Sequence, residues 1–220
     1  KFENTRYQKD VIDALFRQPF SDETIPYAEN IIPGKIFASD FDLGIMGEAY
    51  YDAGSEANYG GDFSAWNNGW AYRNDNVDIQ NNEDPLSNGY KVGWIESDEW
   101  MQYTLKDPTS GLYNIKVRVA TEDNDGSFYF KINDNQVTDL INVPNTESWT
   151  KWSFVNIDSL VVYDTDDKFV FQVKTGTFNL GFFEFERIGD INLLQTKYIS
   201  SFTLSENSIN INFNKNLDNT

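Results

Sequence analysis

The chain has 220 residues and carries 17 Lys and Arg against 35 Asp and Glu, a formal charge of −18 that weighs against nucleic acid and anionic membranes as partners. It has no Cys and no His, which removes disulfides, thiolate nucleophiles, Cys-ligated zinc, the usual neutral-pH base and the Ser-His-Asp arrangement. Carboxylate, Lys or Tyr chemistry, or calcium and magnesium, remain, and no apolar run approaches the roughly 18 residues of a membrane span.

Residues 5–17 are predicted to be helical. Tyr7, Val11, Ile12, Leu15 and Phe16 recur on one face of a 3.6-residue period. Thr5 and Gln8 have capping-box spacing, and Pro19 lies past the end. Residues 18–34, polar and carrying Pro26 and Pro33, read as a linker. Residues 1–32 are therefore assigned to a helix and linker from a preceding domain. Lys1-Phe2-Glu3 reads as the start of an excised fragment.

From Lys35 to about Arg187 the period changes to two. Met101, Tyr103 and Leu105 alternate with Gln102, Thr104 and Lys106. Tyr113, Ile115, Val117 and Val119 alternate with Asn114, Lys116 and Arg118, and Phe169, Phe171 and Val173 repeat the pattern. Half-buried antiparallel strands produce this alternation. Turn signals separate them: Asp107-Pro108, Asp125-Gly126, Asn133-Asp134-Asn135 and the run from Asp164 to Asp167. The expected fold is all-β, a β-sandwich or jelly roll over 33–188. Residues 189–220 read as the start of a following β-domain or as strands added to the sandwich. Residues 43–70, with Tyr50, Tyr51, Tyr59, Trp66 and Trp70, read as loop that either shapes a binding edge or packs on its own rings.

Aromatic residues make up 16% of the chain, more than a core needs, so some rings are expected to face outward. Strand parity selects them. With Met101, Tyr103 and Leu105 inward, Trp100 falls on the wet face. With Ile95 inward, Trp94 points outward beside Glu96. With Trp152 and Phe154 inward, Trp149 shares the wet side with Lys151 and Ser153. Leaving such a ring in water forgoes roughly 1.5–3 kcal/mol of burial. A sugar supplies a reason, because the C–H face of a pyranose stacks on an electron-rich indole. A nearby amide such as Asn179 bonds hydroxyls as donor and acceptor.

At these residues the sequence resembles the family 6 carbohydrate-binding modules. The matching segments are Ile32-Pro33-Gly34-Lys35-Ile36 with Asp40-Phe41-Asp42, Ala71-Tyr72-Arg73-Asn74 with Val77-Asp78-Ile79-Gln80, and Val92 to Glu96 with Glu99 to Thr104. Then come Tyr113 to Ala120, Pro144 to Trp152, and Phe178-Asn179-Leu180 into Phe183 to Glu186. The resemblance implies a β-jelly roll with two sugar sites. The first, at the loop edge, would use Trp94, Trp149 and Asn179. The second, on a concave sheet face, would use Trp100, with Gln80 where the family has an acid. Many family members carry two Glu near the start that help bind a structural calcium; here Phe37 and Ser39 stand in their places. The resemblance then implies a weak calcium site, or one rebuilt with Asp40 and carbonyls.

Glu122 to Gly126 lacks EF-hand spacing and reads as a hairpin tip. Glu184 and Glu186 share a strand face, but 35 acids in 220 residues make such carboxylate pairs common by chance. The fragment is therefore read as non-catalytic. It is expected to hold a secreted glycoside hydrolase, in the same polypeptide, on a β-linked plant or algal polysaccharide. Acid-rich loops are expected to favour neutral over sulfated or uronic glycan. The alternatives are a structural sandwich packed on the catalytic domain without binding sugar, and a cell-surface adhesion domain.

Overall fold

The computed structural model describes residues 22–53, 68–69, 71–73 and 75–191, and the backbone of 199–205 and 208–213. In chain order the strands begin with β1 (Gly34–Phe37), β2 (Tyr50–Tyr51), β3 (Ile79–Asn81) and β4 (Tyr90–Val92). Next are β5 (Trp100–Thr104), β6 (Gly111–Ala120), β7 (Ser127–Ile132) and β8 (Asn135–Gln136). Then follow β9 (Ile141–Asn142), β10 (Ser153–Val162), β11 (Lys168–Thr175) and β12 (Asn179–Gly189). They form two antiparallel sheets, a β-sandwich. The first has the order β10-β6-β12-β4-β3, with β1 also on β12. The second has the order β2-β5-β11-β7-β8, with β9 also on β7.

The alternation read from the sequence fixes the inner faces. Ile115 and Val117 of β6 pair with Phe185 and Phe183 of β12, and all four are buried. The second sheet faces them with Tyr103, Phe130, Phe169 and Phe171. Phe183 lies at the junction, with ring centroids 5.2 Å from Phe169, 5.5 Å from Tyr103 and 5.7 Å from Phe130. Such edge-to-face packing adds to the burial term, so truncating this ring removes about 3–5 kcal/mol.

Residues 22–32 lie against the sandwich, in contrast to the linker expected there. Ile25 bridges Leu43, Asn30 bridges Leu105, and Ile32 is buried in the core. The predicted helix at 5–17 lies outside the described residues, as do Tyr59, Trp66 and Trp70. Beyond the sandwich, β13 (Ile199–Ser205) and β14 (Ser208–Phe213) pair with each other.

The phase of β10 differs from expectation. Phe154 pairs with Arg118, and Val155 pairs with Val117 of the core face. Trp152 and Phe154 therefore belong to the outer face of the first sheet and are half-buried there, not in the core. A one-residue shift reverses every side chain of a strand, and pairing with β6 sets that register. The outer face thus carries its own aromatic strip. Phe37, Phe182 and Phe154 follow one another at centroid distances of 6.1 and 6.0 Å.

Candidate functional site

One edge of the sandwich collects most of the residues singled out by parity. The chain leaves β4 through Gly93 and enters Trp94, whose φ of 48° is left-handed. A non-glycine residue held there costs roughly 1–3 kcal/mol, so the surrounding turn must impose it. The turn buries Ile95 at 1% exposure and leaves Trp94 at 48%. Trp94 is thus outward for a turn geometry, not for the strand parity expected.

Trp149 arrives from the loop before β10. Thr146 anchors that loop: its Oγ1 accepts from Thr121 N at 2.8 Å and donates to Thr121 O at 2.9 Å. Asn179, the first residue of β12, donates from Nδ2 to the Trp149 carbonyl at 2.7 Å. That bond fixes the amide. Oδ1 is left without a protein partner among the described residues, on a residue 5% exposed. Gly93 opens the space before it, since a Cβ there would stand 3.0 Å from Asn179 Oδ1.

Trp94, Trp149 and Asn179 line one pocket of about 390 Å³, together with Gln80, Lys91 and Phe178. Two indoles and one amide oxygen line it, and the amide, already fixed by its bond to the Trp149 carbonyl, loses little freedom on binding. The pocket adjoins a second one, a groove of about 650 Å³ on the outer face of the first sheet. Gln80 and Lys91 line both. Trp152 and Arg118 form the far side of the groove. Between them β12 carries Gly181, where a Cβ would stand 3.2 Å from Arg118 Cγ and 3.3 Å from the Trp152 ring. The missing side chain lets the indole lie over the strand. Trp152 and Lys91 were not singled out from the sequence. The Tyr90-Lys91-Val92 alternation places Lys91 on the wet face, but nothing local reveals what it faces.

Gln80 and Trp100, grouped by the resemblance, are apart. Gln80 is on β3 of the first sheet, opposite Lys91 of β4, and so joins the edge pocket. Trp100 opens β5 of the second sheet, between Tyr51 of β2 and Gln172 of β11. It is half-buried. Its polar neighbours bond one another: Lys131 Nζ donates to Gln172 Oε1 at 3.0 Å, and Gln172 Nε2 donates to Asp98 O at 3.1 Å.

The segment of Asp40 does not fit a calcium ion. Phe37 packs on Phe182, and the Lys35 ammonium sits 4.0 Å over the Phe182 ring. Ser39 Oγ accepts from Asn88 Nδ2 at 3.0 Å, and Asp40 accepts from the Tyr72 hydroxyl at 2.7 Å. The nearby Ser39, Phe41 and Asp42 carbonyls accept from the fully buried Arg73 guanidinium. A cation that wants six to eight oxygens finds none of these donors unengaged. Among the described residues no group of three or more acids is placed to hold a metal.

A buried acidic pair lies at the start of β5, on the second sheet. Burial pushes the Glu99 carboxyl up to about 9, with the negative charge of Asp52 as the next cause. Burial pushes Asp52 up to about 8, followed by the charges of Asp78, Asp75 and Glu96.

Comparison with known proteins bears on the family and the fold. The family model described as carbohydrate binding module (family 6) matches residues 70–187, just over half of the chain. The clotting factor G alpha subunit of Tachypleus tridentatus is 27% identical over 121 residues, which are 54% of this chain and 16% of that protein. The chain thus spans about a sixth of that relative. Among solved structures, a β-1,3-glucan binding module of the family from Bacillus halodurans has a TM-score of 0.51 at 16% identity, covering 72% of this chain and 99% of that one. A module from Clostridium stercorarium in complex with cellobiose has a TM-score of 0.52 at 16% identity, covering 73% and 98%. These two likenesses concern the fold.

Proposed function

The chain belongs to family 6 of the carbohydrate-binding modules, and from that membership we propose that its sugar site is the edge pocket of Trp94, Trp149 and Asn179. The module is a non-catalytic binder of carbohydrate. Its glycan is a β-linked plant or algal polysaccharide, and its role is to hold an attached polysaccharide-degrading enzyme on that substrate outside the cell. Tethering raises the effective concentration of enzyme at the polymer without any new contact to the catalytic centre.

One observation carries the reading. Two indoles and an amide oxygen without a partner among the described residues open on the same pocket, and the turn at Trp94 leaves that ring 48% exposed there. A pyranose ring offers C–H groups to the indoles and hydroxyls to Asn179 Oδ1.

Affinity electrophoresis through gels of xylan, β-1,3-glucan, mixed-linkage glucan, agarose and cellulose derivatives tests this. Retardation in at least one gel, lost in Trp94→Ala, is expected. Unchanged migration in every gel would favour a structural spacer. Release of reducing sugar by the isolated module would overturn the non-catalytic reading.

A further inference from the structure

Three other cationic side chains on the outer face of the first sheet have partners. Arg118 donates from Nε and Nη2 to Asp84 at 2.8 and 3.2 Å. Lys116 Nζ lies 3.5 Å from Glu186. Lys35 donates to the Leu86 carbonyl at 3.2 Å and covers the Phe182 ring. Lys91 differs. It is 7% exposed, and among the described residues its ammonium makes no hydrogen bond and no ion pair.

The acids around the two pockets do not serve it. Asp84 is held by Arg118, Asp123 accepts from the Thr177 hydroxyl, and Glu83 is exposed to solvent. Burial lowers the Lys91 pKa, with no acid to offset it. A partly desolvated ammonium without a counterion among the described residues is costly to keep. Its side chain rises on the wet face of β4 where the edge pocket meets the groove, and it lines both.

We propose that Lys91 binds an anionic substituent of the glycan, a uronate carboxylate or a sulfate ester, on a sugar at the junction of the edge pocket and the groove beside Trp152. This rests on the reading of the edge pocket as the sugar site. It reverses the preference for neutral glycan expected from the charge of −18. Net charge acts at long range and is screened over about 8 Å at physiological salt, whereas a partly dry ammonium acts at contact. A charge-assisted bond is also roughly twice as strong as a neutral one. The carboxylate or sulfate would give Lys91 the kind of partner that Asp84 gives Arg118.

Matched polymers test the proposal in affinity electrophoresis. The pairs are glucuronoxylan and its carboxyl-reduced form, β-1,3-glucan and its C6-oxidised form, and sulfated and desulfated agaran. The wild-type protein should bind at least one acidic member about tenfold more tightly than its neutral match. The uronate pairs and the sulfate pair tell the two anions apart. Lys91→Gln should lose that difference, bringing the acidic member down to the affinity of its neutral match, and Lys91→Arg should retain most of it. Two results would overturn the proposal: no acidic member preferred in any pair, or Lys91→Gln weakening acidic and neutral members equally. Binding of neutral polymers without acid preference removes only the Lys91 assignment. Failure to bind any of the six removes the sugar site itself, and the assignment with it.

Discussion

Two tryptophan-bearing surfaces of this sandwich differ in what their polar neighbours have left to give. At the loop edge, Trp94 and Trp149 share a pocket with an amide oxygen and an ammonium that have no partner among the described residues. On the outer face of the second sheet, Trp100 stands opposite Gln172, which is bonded to Lys131. Both surfaces expose indole, so exposure alone does not mark a site. Concavity together with unengaged donors and acceptors does, because a sugar needs an apolar face and hydrogen-bond partners at once.

The difference is broken most strongly at the edge. Trp94→Ala or Trp149→Ala should weaken glycan binding about a hundredfold, equal to about 2.7 kcal/mol, as expected for a stacked aromatic anchor. Equilibrium unfolding of Trp94→Ala should stay close to wild type, since that ring contributes little burial. Asn179→Ala should cost about tenfold in binding, because it removes the acceptor and also frees the Trp149 carbonyl from its bond. Calorimetric titration with the retained oligosaccharide reads both.

The second sheet carries the opposite kind of residue, groups that matter to stability and not to ligand. Asp52 and Glu99 are held above their ordinary carboxylate range, at about 8 and about 9. Their folded pKa exceeds the unfolded value, so the folded state binds more protons between about pH 4 and 9. The stability they contribute is complete below pH 4 and is lost as pH rises through 8 and 9. Urea midpoints should fall from pH 5 to pH 9, and Asp52→Asn should flatten that slope. Trp100→Ala should change glycan affinity less than twofold; a loss as large as that of Trp94→Ala would erase the distinction between the two surfaces. The smallest expected effect is that of a chelator. EDTA should leave the melting temperature unchanged, because Phe37, Ser39 and Asp40 are engaged with Phe182, Asn88 and Tyr72.

Alternation made the long strands legible in the sequence. Tyr113 to Val119 and Phe169 to Val173 follow the period of two because one face meets the core. The outward placement of Trp94 was also legible, although its cause is a left-handed turn and not a strand. β10 was not. Trp152 and Phe154 looked like core because an outer aromatic strip has the same period as an inner one, and only the pairing Phe154 to Arg118 separates them. Gln80 and Trp100 were grouped by the resemblance, and the local pattern says nothing about which sheet a three-residue strand joins. The isolation of Lys91 is invisible in sequence, since it depends on Arg118 having taken Asp84, 34 residues away in the chain.

The structure of the protein bound to a β-linked oligosaccharide tests the central claim most directly. A pyranose ring against Trp94 and Trp149, with a hydroxyl on Asn179 Oδ1, is the result expected. A sugar lying on the Trp100 face, with the edge pocket filled only by water, would contradict it.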